Sequence, residues 1–220
     1  MSGVSTTRNR FDDKRSAYFF DGFSSVLTIP DHDDFSATTT GYLSISVWVR
    51  PEGVSFDAVG GLLYPCVQGS GYVHWFGKGT RSGAVGNREW AFRIYSADNA
   101  EGRHNRMSFY LFPYQGGLGP GCYVEDAMED RQWLHLVAMV SRPDRRIWLY
   151  KDGLERGTVG FGEGDSYPIA DADFRNGGVP IRMGSQDGRS YFRGAIDNVY
   201  FYNRLLGPTE IASLYSDTTP

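Results

Sequence analysis

Several features that would define the class of this 220-residue protein are missing from its sequence. No run of eighteen apolar residues is present, which excludes a membrane-spanning helix of ordinary length. The net charge is only −4 and the arginines are scattered, so nothing indicates nucleic-acid binding. Residues 1–16 contain no apolar stretch, so we expect no signal peptide there. Three explanations fit this expectation. The protein acts in the compartment where it is made, it leaves the cell by lysis as part of a particle, or a leader has been trimmed from the sequence.

The sequence contains only two cysteines. Cys66 and Cys122 permit one disulfide at most. We expect two free, partly buried thiols instead, because a chain of this length can build a core without a covalent link. Neither cysteine belongs to a Cys-x-x-Cys pair. The histidines also lie outside any zinc-binding motif: His32, His74, His104 and His135.

The sequence is rich in strand-forming residues and turn residues. It is 40% hydrophobic and 15% aromatic and contains 28 glycines, which indicates a packed core with many tight turns. The clearest alternation is at residues 42–50, where Leu43, Ile45 and Val47 share one face and Trp48 lies on the other. Strands are predicted at 17–20, 26–29, 42–50, 73–76, 89–95, 107–112, 133–141, 146–151, 154–159, 180–184 and 192–203. Only residues 208–215 read as a helix.

This pattern predicts one all-β domain, an antiparallel two-sheet sandwich with one short C-terminal helix. The chain ends of such folds often meet in neighbouring strands, so residues 17–20 should lie near 194–203. Residues 1–16 are polar and are predicted to form a flexible arm. Asp197 lies inside the last apolar strand, where a carboxylate needs a hydrogen bond, a counter-charge or a cation.

Five segments occur in an order that resembles a known family: AYFFDGFSSVLTIPD, YLSISVWVRP, WLHLVAMVSRPDRRIWLYKDG, IRMGS and FRGAIDNVYFYNRLLGPTEIASLY. Together, over residues 17–217, they resemble the laminin G-like jelly-roll domains of the concanavalin A-like superfamily. The departures are a long insertion at 52–72 and a tail at 160–178. The resemblance implies a jelly-roll sandwich used mainly as a binding module for carbohydrates, proteins or cell surfaces, often with calcium.

The resemblance also implies a structural calcium site between the first and last strands, formed by Asp21, Gly22 and Asp197. Calcium prefers six to eight oxygen ligands, and carbonyl groups of the turn at Gly22 would supplement the two carboxylates. An alternative remains open. Asp21 would then bond its own turn, and Asp197 would pair with an arginine.

Catalysis is not expected. Glycosidases of the superfamily place carboxylates on one face of one strand, and retaining enzymes need two of them about 5 Å apart. The acidic cluster VEDAMED, which contains Glu125, Asp126, Glu129 and Asp130, has the wrong spacing. A Ser-His-Asp arrangement stays open, although no nucleophile-elbow motif is present.

The abundant aromatic residues supply candidate ligand-binding positions, because a sugar ring stacks on a flat aromatic face. Trp48 shares its face with serines, opposite the core residues, and is therefore a candidate for an exposed platform. Loops held by rigid sheets usually carry binding residues. On this ground the further candidates are Tyr72, His74, Tyr114 and Arg189.

The sequence therefore predicts a non-catalytic, lectin-like module that recognises glycan or a bacterial cell surface. The resemblance suggests a tail or head-surface protein of a bacteriophage, at an extracellular or virion-surface location. The alternative is a structural or decoration protein that binds other virion subunits or its own copies. A polysaccharide-degrading enzyme is the third reading.

Overall fold

The computed structural model describes residues 3–54, 71–80, 85–164 and 166–217. These residues form thirteen strands: β1 (Ser5–Thr7), β2 (Ala17–Asp21), β3 (Leu27–Ile29), β4 (Tyr42–Pro51), β5 (Tyr72–Gly79), β6 (Arg88–Tyr95), β7 (Met107–Leu111), β8 (Gly121–Tyr123), β9 (Leu134–Ser141), β10 (Arg146–Lys151), β11 (Leu154–Gly160), β12 (Ile181–Met183) and β13 (Arg193–Tyr202). Two α-helices accompany them, α1 (Ala37–Thr40) and α2 (Pro208–Ser216).

The strands build two antiparallel sheets. One has seven strands in the order β1-β2-β13-β4-β9-β10-β11, and the other has six in the order β3-β12-β5-β6-β7-β8. The all-β jelly-roll sandwich and its C-terminal helix are thus confirmed. Strand β13 pairs with β2 from Arg193 opposite Asp21 to Ile196 opposite Tyr18, which confirms that the first predicted strand lies beside the last.

The core lies between the sheets because each strand alternates its side chains. Leu43, Ile45, Val47 and Val49 of β4 are fully buried there. From the six-stranded sheet, a ring cluster faces them: Trp75, Phe76, Trp90, Phe92 and Phe109. Phe76 and Phe92 stack with ring centroids 5.6 Å apart, so aromatic packing joins neighbouring strands as well as filling the core.

Helix α2 covers the outer face of the seven-stranded sheet. Ile211 of α2 is fully buried against Val137 and Met139 of β9 and Tyr150 of β10, which forms a second, smaller apolar cluster. The helix begins after Gly207, where the Glu210 carboxylate accepts a hydrogen bond from the Gly207 amide at 2.8 Å. Among the described residues, neither α-helix has the length and apolar composition needed to cross a bilayer.

Residues 3–16 differ from the flexible arm that the sequence predicts. Ser5–Thr7 pairs with β2 as an edge strand. The Asn9 side-chain oxygen then accepts hydrogen bonds from the amides of Phe11 and Asp13, each at 2.9 Å. Polar composition did not reveal this strand, because an edge strand needs backbone pairing but little apolar surface.

Cys122 of β8 is free and buried, and burial raises the pKa of its thiol to about 12. A thiol in this state is protonated at neutral pH and unreactive. Cys66 lies outside the described residues, as does most of the insertion at 52–72.

Candidate functional site

A groove of about 1030 Å³ lies on the outer face of the six-stranded sheet, where that sheet meets β11 of the other. Strands β5 to β8 each present one large polar side chain to it: Tyr72, Arg93, Tyr110 and Tyr123. The opposite wall is formed by residues 156–159 of β11 and by residues 163, 164 and 166–168, including the exposed ring of Tyr167. We call this feature the tyrosine–arginine groove.

Strand alternation explains the groove's composition. In β6, Phe92 and Ile94 enter the core, so Arg93 between them faces outward. In β7, Phe109 enters the core and Tyr110 faces outward beside Arg93. The apolar residues that build the sandwich therefore determine which polar residues line the groove.

Arg93 is held between two tyrosine rings. Its guanidinium carbon lies 3.6 Å from the ring centre of Tyr110 and 4.2 Å from that of Tyr72. Only 6% of the residue is exposed, and Nε has no hydrogen-bond partner. These ring contacts restrict the movement of the guanidinium.

A second set of contacts fixes the neighbouring side chains. Glu101 accepts a hydrogen bond from the Tyr72 hydroxyl at 2.8 Å and pairs with Arg103 at 2.6 Å. The Arg103 guanidinium lies 4.2 Å from the Tyr123 ring centre, and the hydroxyls of Tyr95 and Tyr110 are 3.0 Å apart. The groove is thus preorganised by direct contacts.

These contacts also shift the pKa values of the groove residues. Burial, reinforced by the hydrogen bond to Glu101, raises the pKa of Tyr72. Burial likewise raises the pKa of Tyr110 against the opposing charge of Arg93. Burial alone would lower the pKa of Arg103, but Tyr95 and Glu101 outweigh it and raise that pKa. Both tyrosines therefore carry their protons, and Arg103 its charge, at neutral pH.

Two glycines allow the walls to come this close. A Cβ atom at Gly121 would overlap the ring of Tyr110 on the neighbouring strand. A Cβ atom at Gly157 would lie 2.6 Å from the carbonyl oxygen of Tyr123, on the edge strand of the other sheet. Side chains at these positions would force Tyr110 and strand β8 out of place.

Of the ligand-binding residues predicted from the sequence, Tyr72 lines the groove. His74 is only 5% exposed, and its Nδ1 lies 3.0 Å from the carboxylate of Asp187. Arg189 is exposed and donates its amide to the same carboxylate at 3.0 Å. Tyr114 packs against Gly86 and Arg175, outside the residues that line the groove. The Tyr72 and His74 rings contact each other with centroids 6.0 Å apart. The structure therefore brings Tyr72, His74 and, through Asp187, Arg189 together and leaves Tyr114 apart.

Trp48 does face away from the core, as the alternation predicts, but it is not an exposed platform. It is 8% exposed because three groups cover it. The Tyr215 ring stacks on it at 5.8 Å, the His135 ring lies at 5.1 Å, and the Arg10 guanidinium lies 4.6 Å from its ring centre. Helix α2 and the N-terminal segment occupy the surface that a ligand would need.

The three residues predicted to hold calcium are not gathered into one site. The β2–β13 register separates Asp21 from Asp197 by four residues, or roughly 13 Å along the strands. Asp21 accepts amide hydrogen bonds from Phe23, Ser24 and Ser25 at 2.8 to 3.0 Å, around Gly22 in its turn. Within the described ranges no group of three metal-ligating side chains occurs.

Asp197 instead faces the N-terminal segment. Its Oδ2 atom lies 3.9 Å from a guanidinium nitrogen of Arg10, and its Oδ1 atom accepts the Asn198 amide at 2.9 Å. Burial raises the pKa of Asp197, although the Asn198 amide and Arg10 oppose that effect. Both aspartates thus make the contacts of the alternative interpretation. Calcium binding itself stays a prediction.

The candidate catalytic groups are dispersed. Asp126 lies 3.5 Å from Arg156, whereas Asp130 binds the amides of Gly53 and Val54. Ser190 donates its hydroxyl to Asp187 and not to a histidine. Ser46 does contact the Nε2 atom of His135 at 2.8 Å, but both residues are buried. None of these sets shows the exposed nucleophile and oriented base of a hydrolase.

Arg93, Glu101 and Arg103 are candidate functional residues that were not predicted from the sequence. The alternation of β6 carried a usable signal, because the strand REWAFRIY places Arg93 opposite the Phe92 side of the sheet. Glu101 and Arg103 follow β6 in a turn-rich segment, and no local pattern links them to Tyr72 or Tyr123.

Residues 21–212 match Laminin_G_3, a family of the concanavalin A-like lectin/glucanases superfamily. The chain therefore belongs to this family, as the sequence resemblance indicated. No curated protein matches the sequence.

Solved structures with the same fold are distant in sequence. Domain 4 of AbnA, an extracellular GH43 arabinanase from Geobacillus stearothermophilus in complex with arabinotriose, has a TM-score of 0.56 and 18% identity over 97% of this chain and 88% of that one. A heptameric SAP-like pentraxin from Limulus polyphemus has a TM-score of 0.55 and 13% identity over 90% and 80%.

The receptor-binding domain of botulinum neurotoxin type G has a TM-score of 0.60 and 14% identity, and the match covers 97% of this chain but 44% of the toxin domain. Identities this low show a shared fold.

Proposed function

We propose that this protein is a non-catalytic, lectin-like module that binds glycan in the tyrosine–arginine groove. The observation that supports this proposal is the convergence of four tyrosines, three arginines and three glutamates on one groove of about 1030 Å³: Tyr72, Tyr110, Tyr123, Tyr167, Arg93, Arg103, Arg156, Glu101, Glu125 and Glu163. A groove of this volume is at the upper end of the range for small-molecule sites and suits an oligosaccharide.

The chemistry of the lining suits sugars. Tyrosine offers an apolar face to the C–H side of a sugar ring and a hydroxyl at its edge. Arginine and carboxylate groups bond the sugar hydroxyls. Because Glu101 already fixes Tyr72 and Arg103, the groove loses little side-chain freedom when a ligand binds.

The distant structural neighbours are consistent with this proposal. One was solved in complex with arabinotriose, and another is named as a receptor-binding domain. At 18% and 14% identity these proteins share the fold with this chain. That this chain binds a similar ligand is part of the proposal.

A glycan array followed by calorimetry on each responding glycan tests the proposal. Tyr167→Ala removes a ring that lines the groove and is half exposed, so the fold should survive. We expect it to weaken glycan binding by about five- to tenfold, in line with the loss of one stacking contact. Tyr200→Ala removes a similarly exposed tyrosine outside the groove, and binding should not change. Equal loss in both variants, or no response from any glycan, would contradict the proposal.

The proposed absence of catalysis needs its own test. Glu125 lines the groove and Glu129 belongs to the same acidic cluster, so both are changed to glutamine. Incubation of the wild-type protein with each responding glycan should release no reducing ends. Turnover that disappears in the Glu125→Gln, Glu129→Gln double variant would make the protein a glycan-degrading enzyme.

The narrower proposal concerns location. It places the protein outside the cell or at the surface of a bacteriophage particle, where the groove would contact a bacterial cell surface. Support comes from the family resemblance alone. Detection of the chain in purified particles by mass spectrometry tests it.

One observation favours the alternative, a structural role in binding other subunits or further copies of the chain. Leu154 and Tyr215 expose 58% and 42% of their surface, and the neighbouring Gly153 packs against the Tyr215 ring. Adjacent exposed apolar side chains suit a protein contact. Light scattering that shows a multimer, abolished by Leu154→Ser, would support this role.

A further inference from the structure

Arg93 differs from the other arginines of the groove because it has no counter-charge among the described residues. Arg103 pairs with Glu101 at 2.6 Å, and Arg156 lies 3.5 Å from Asp126. Arg93 contacts the rings of Tyr72 and Tyr110 and, at 5.7 Å, that of Tyr95, although only 6% of the residue is exposed. A buried charge without a partner is costly, which points to a partner that arrives from outside.

The ring contacts of Arg93 do not use its N–H groups as donors to an oxygen atom. Its guanidinium carbon lies near the ring centres of Tyr110 and Tyr72, and its N–H bonds lie in the guanidinium plane. Its Nε–H has no acceptor in the described structure. An in-plane fork of N–H groups is the arrangement that binds both oxygens of one carboxylate.

A second arginine adds positive charge nearby. Arg88, at the start of the same strand, lies with its guanidinium carbon 3.3 Å from the Phe112 ring centre, and its Nε also has no partner. Burial and the charge of Arg93 lower the pKa of Arg88 to about 9, so it remains mostly charged at neutral pH. The carboxylate that acts on Arg88, Asp187, is already bonded by Ser190 and paired with His74.

Three described carboxylates line the groove, and none of them forms an ion pair with Arg93. Glu101 bonds Tyr72 and Arg103, and Glu163 pairs with Arg146 at 3.0 Å. The third, Glu125, is an exposed residue of the lining.

We infer that the glycan of the tyrosine–arginine groove is acidic and that Arg93 binds its carboxylate, as a uronic or sialic acid would present it. This inference rests on the proposed function and specifies the ligand class of the same site. The ligand carboxylate accepts hydrogen bonds from the guanidinium N–H groups of Arg93, while the sugar ring stacks on an adjacent tyrosine. A neutral sugar would leave the Arg93 charge unpaired.

Matched probes test this in the wild-type protein, so the result does not depend on any variant folding. Calorimetry compares trigalacturonate with its methyl ester and sialyllactose with its methyl ester. Each pair differs by the anionic group and preserves most of the remaining shape. We expect at least one acidic member to bind about tenfold or more tightly than its neutral partner, with an affinity that falls as salt increases.

Variants then assign the effect to Arg93. Arg93→Gln should remove the preference for the acidic member. Arg93→Lys retains the charge but lacks the two-pronged geometry of the guanidinium. This variant should keep only part of the preference for the acidic member. Lys14→Gln, a matched loss of one positive charge at an exposed residue outside the groove, should leave the affinity for the acidic ligand unchanged. Circular dichroism confirms that each variant is folded.

The outcomes separate the two proposals. Equal binding of acidic and neutral members would overturn this inference and leave glycan binding intact. Binding of sulfated probes without carboxylated ones would overturn the carboxylate assignment. An acidic preference that persists in folded Arg93→Gln would overturn the role of Arg93. Silence of all glycans, acidic and neutral, would overturn the proposed function as well.

Discussion

The guanidinium of Arg10 lies 4.6 Å from the ring centre of Trp48, on the outer face of the seven-stranded sheet. Arg10 also lies 3.9 Å from Asp197 and donates a hydrogen bond to the Asp217 carbonyl at 3.2 Å. One arginine thus joins the N-terminal segment, the last strand and the residue after α2. Trp48 contacts its own chain, and this contact takes the place of the sugar that the sequence pattern suggests.

The first prediction follows for Trp48. Trp48→Ala should lower the free energy of unfolding by about 3 kcal/mol, because it removes a large buried ring between Arg10, His135 and Tyr215. Urea denaturation measures the change, and Tyr200→Ala serves as an exposed aromatic control. Unaltered stability together with weaker glycan binding would show that Trp48 is a ligand platform after all.

The second prediction concerns Arg10 and Asp197. Arg10→Gln should cost about 1 kcal/mol of stability at neutral pH, since it removes the cation–π contact and the nearest positive charge to a buried carboxylate. When Asp197 is already replaced by asparagine, Arg10→Gln should cost less stability, because the carboxylate that Arg10 neutralises is gone. A double-mutant cycle measures this coupling, and additive effects of the two substitutions would refute it.

The third prediction is a pH dependence. Burial and nearby Arg10 lower the pKa of His135 to about 4, below its ordinary value of 6.5. The unfolded chain therefore binds a proton before the folded protein does, so this group's stability contribution is present above pH 6.5 and lost as pH falls towards 4. The loss should be on the order of 3 kcal/mol.

Denaturation between pH 7 and pH 4.5 measures this loss. His74, whose pKa burial also lowers, acts in the same direction. His135→Gln can still bond Ser46 but does not titrate, so its stability should fall less steeply with acid. Parallel pH profiles of variant and wild type would contradict the assignment to His135.

The fourth prediction concerns the groove wall. Gly121→Ala should abolish glycan binding and lower stability, because the new methyl group overlaps the Tyr110 ring. Gly207→Ala is the matched control. Gly207 has a φ of −74°, which alanine adopts without strain, and it lies at the start of α2, which covers the seven-stranded sheet. An added Cβ atom there would lie 3.6 Å from its nearest neighbour. Normal ligand affinity in Gly121→Ala would show that Tyr110 is not part of the site.

The fifth prediction separates a turn from a metal site at Asp21. Asp21→Asn should cost about 1 kcal/mol, because a charged acceptor of three amides becomes a neutral one. We expect the same cost in calcium and in chelator when melting curves are compared. A wild-type midpoint that rises only with calcium, and is insensitive to calcium in the variant, would establish the metal site.

Much of the fold could be predicted because the strands carry their pattern locally. The alternation of Leu43, Ile45 and Val47 defines β4 and its core face, and the residues around Asp197 define the last strand. Edge strand β1 was missed, since Ser5–Thr7 is ordered by backbone pairing with β2 and has no apolar period.

The site was harder to predict, because contacts between distant segments decide it. Trp48 was placed on the correct face, but nothing near it in sequence shows that Arg10 and Tyr215 cover it. Arg93 and Tyr110 become neighbours only when β6 pairs with β7 in the observed register. Individual residue types suggested sugar binding, whereas the position of the groove required the sheet.

The two walls of the groove belong to different layers of the sandwich, with β8 on one side and β11 on the other. The edge strands β8 and β11 approach each other closely where Gly157 faces Tyr123. A ligand that contacts both walls would link these two strands at further positions. Occupancy should therefore slow amide hydrogen exchange in β8 and β11 together, far beyond the residues that touch the sugar.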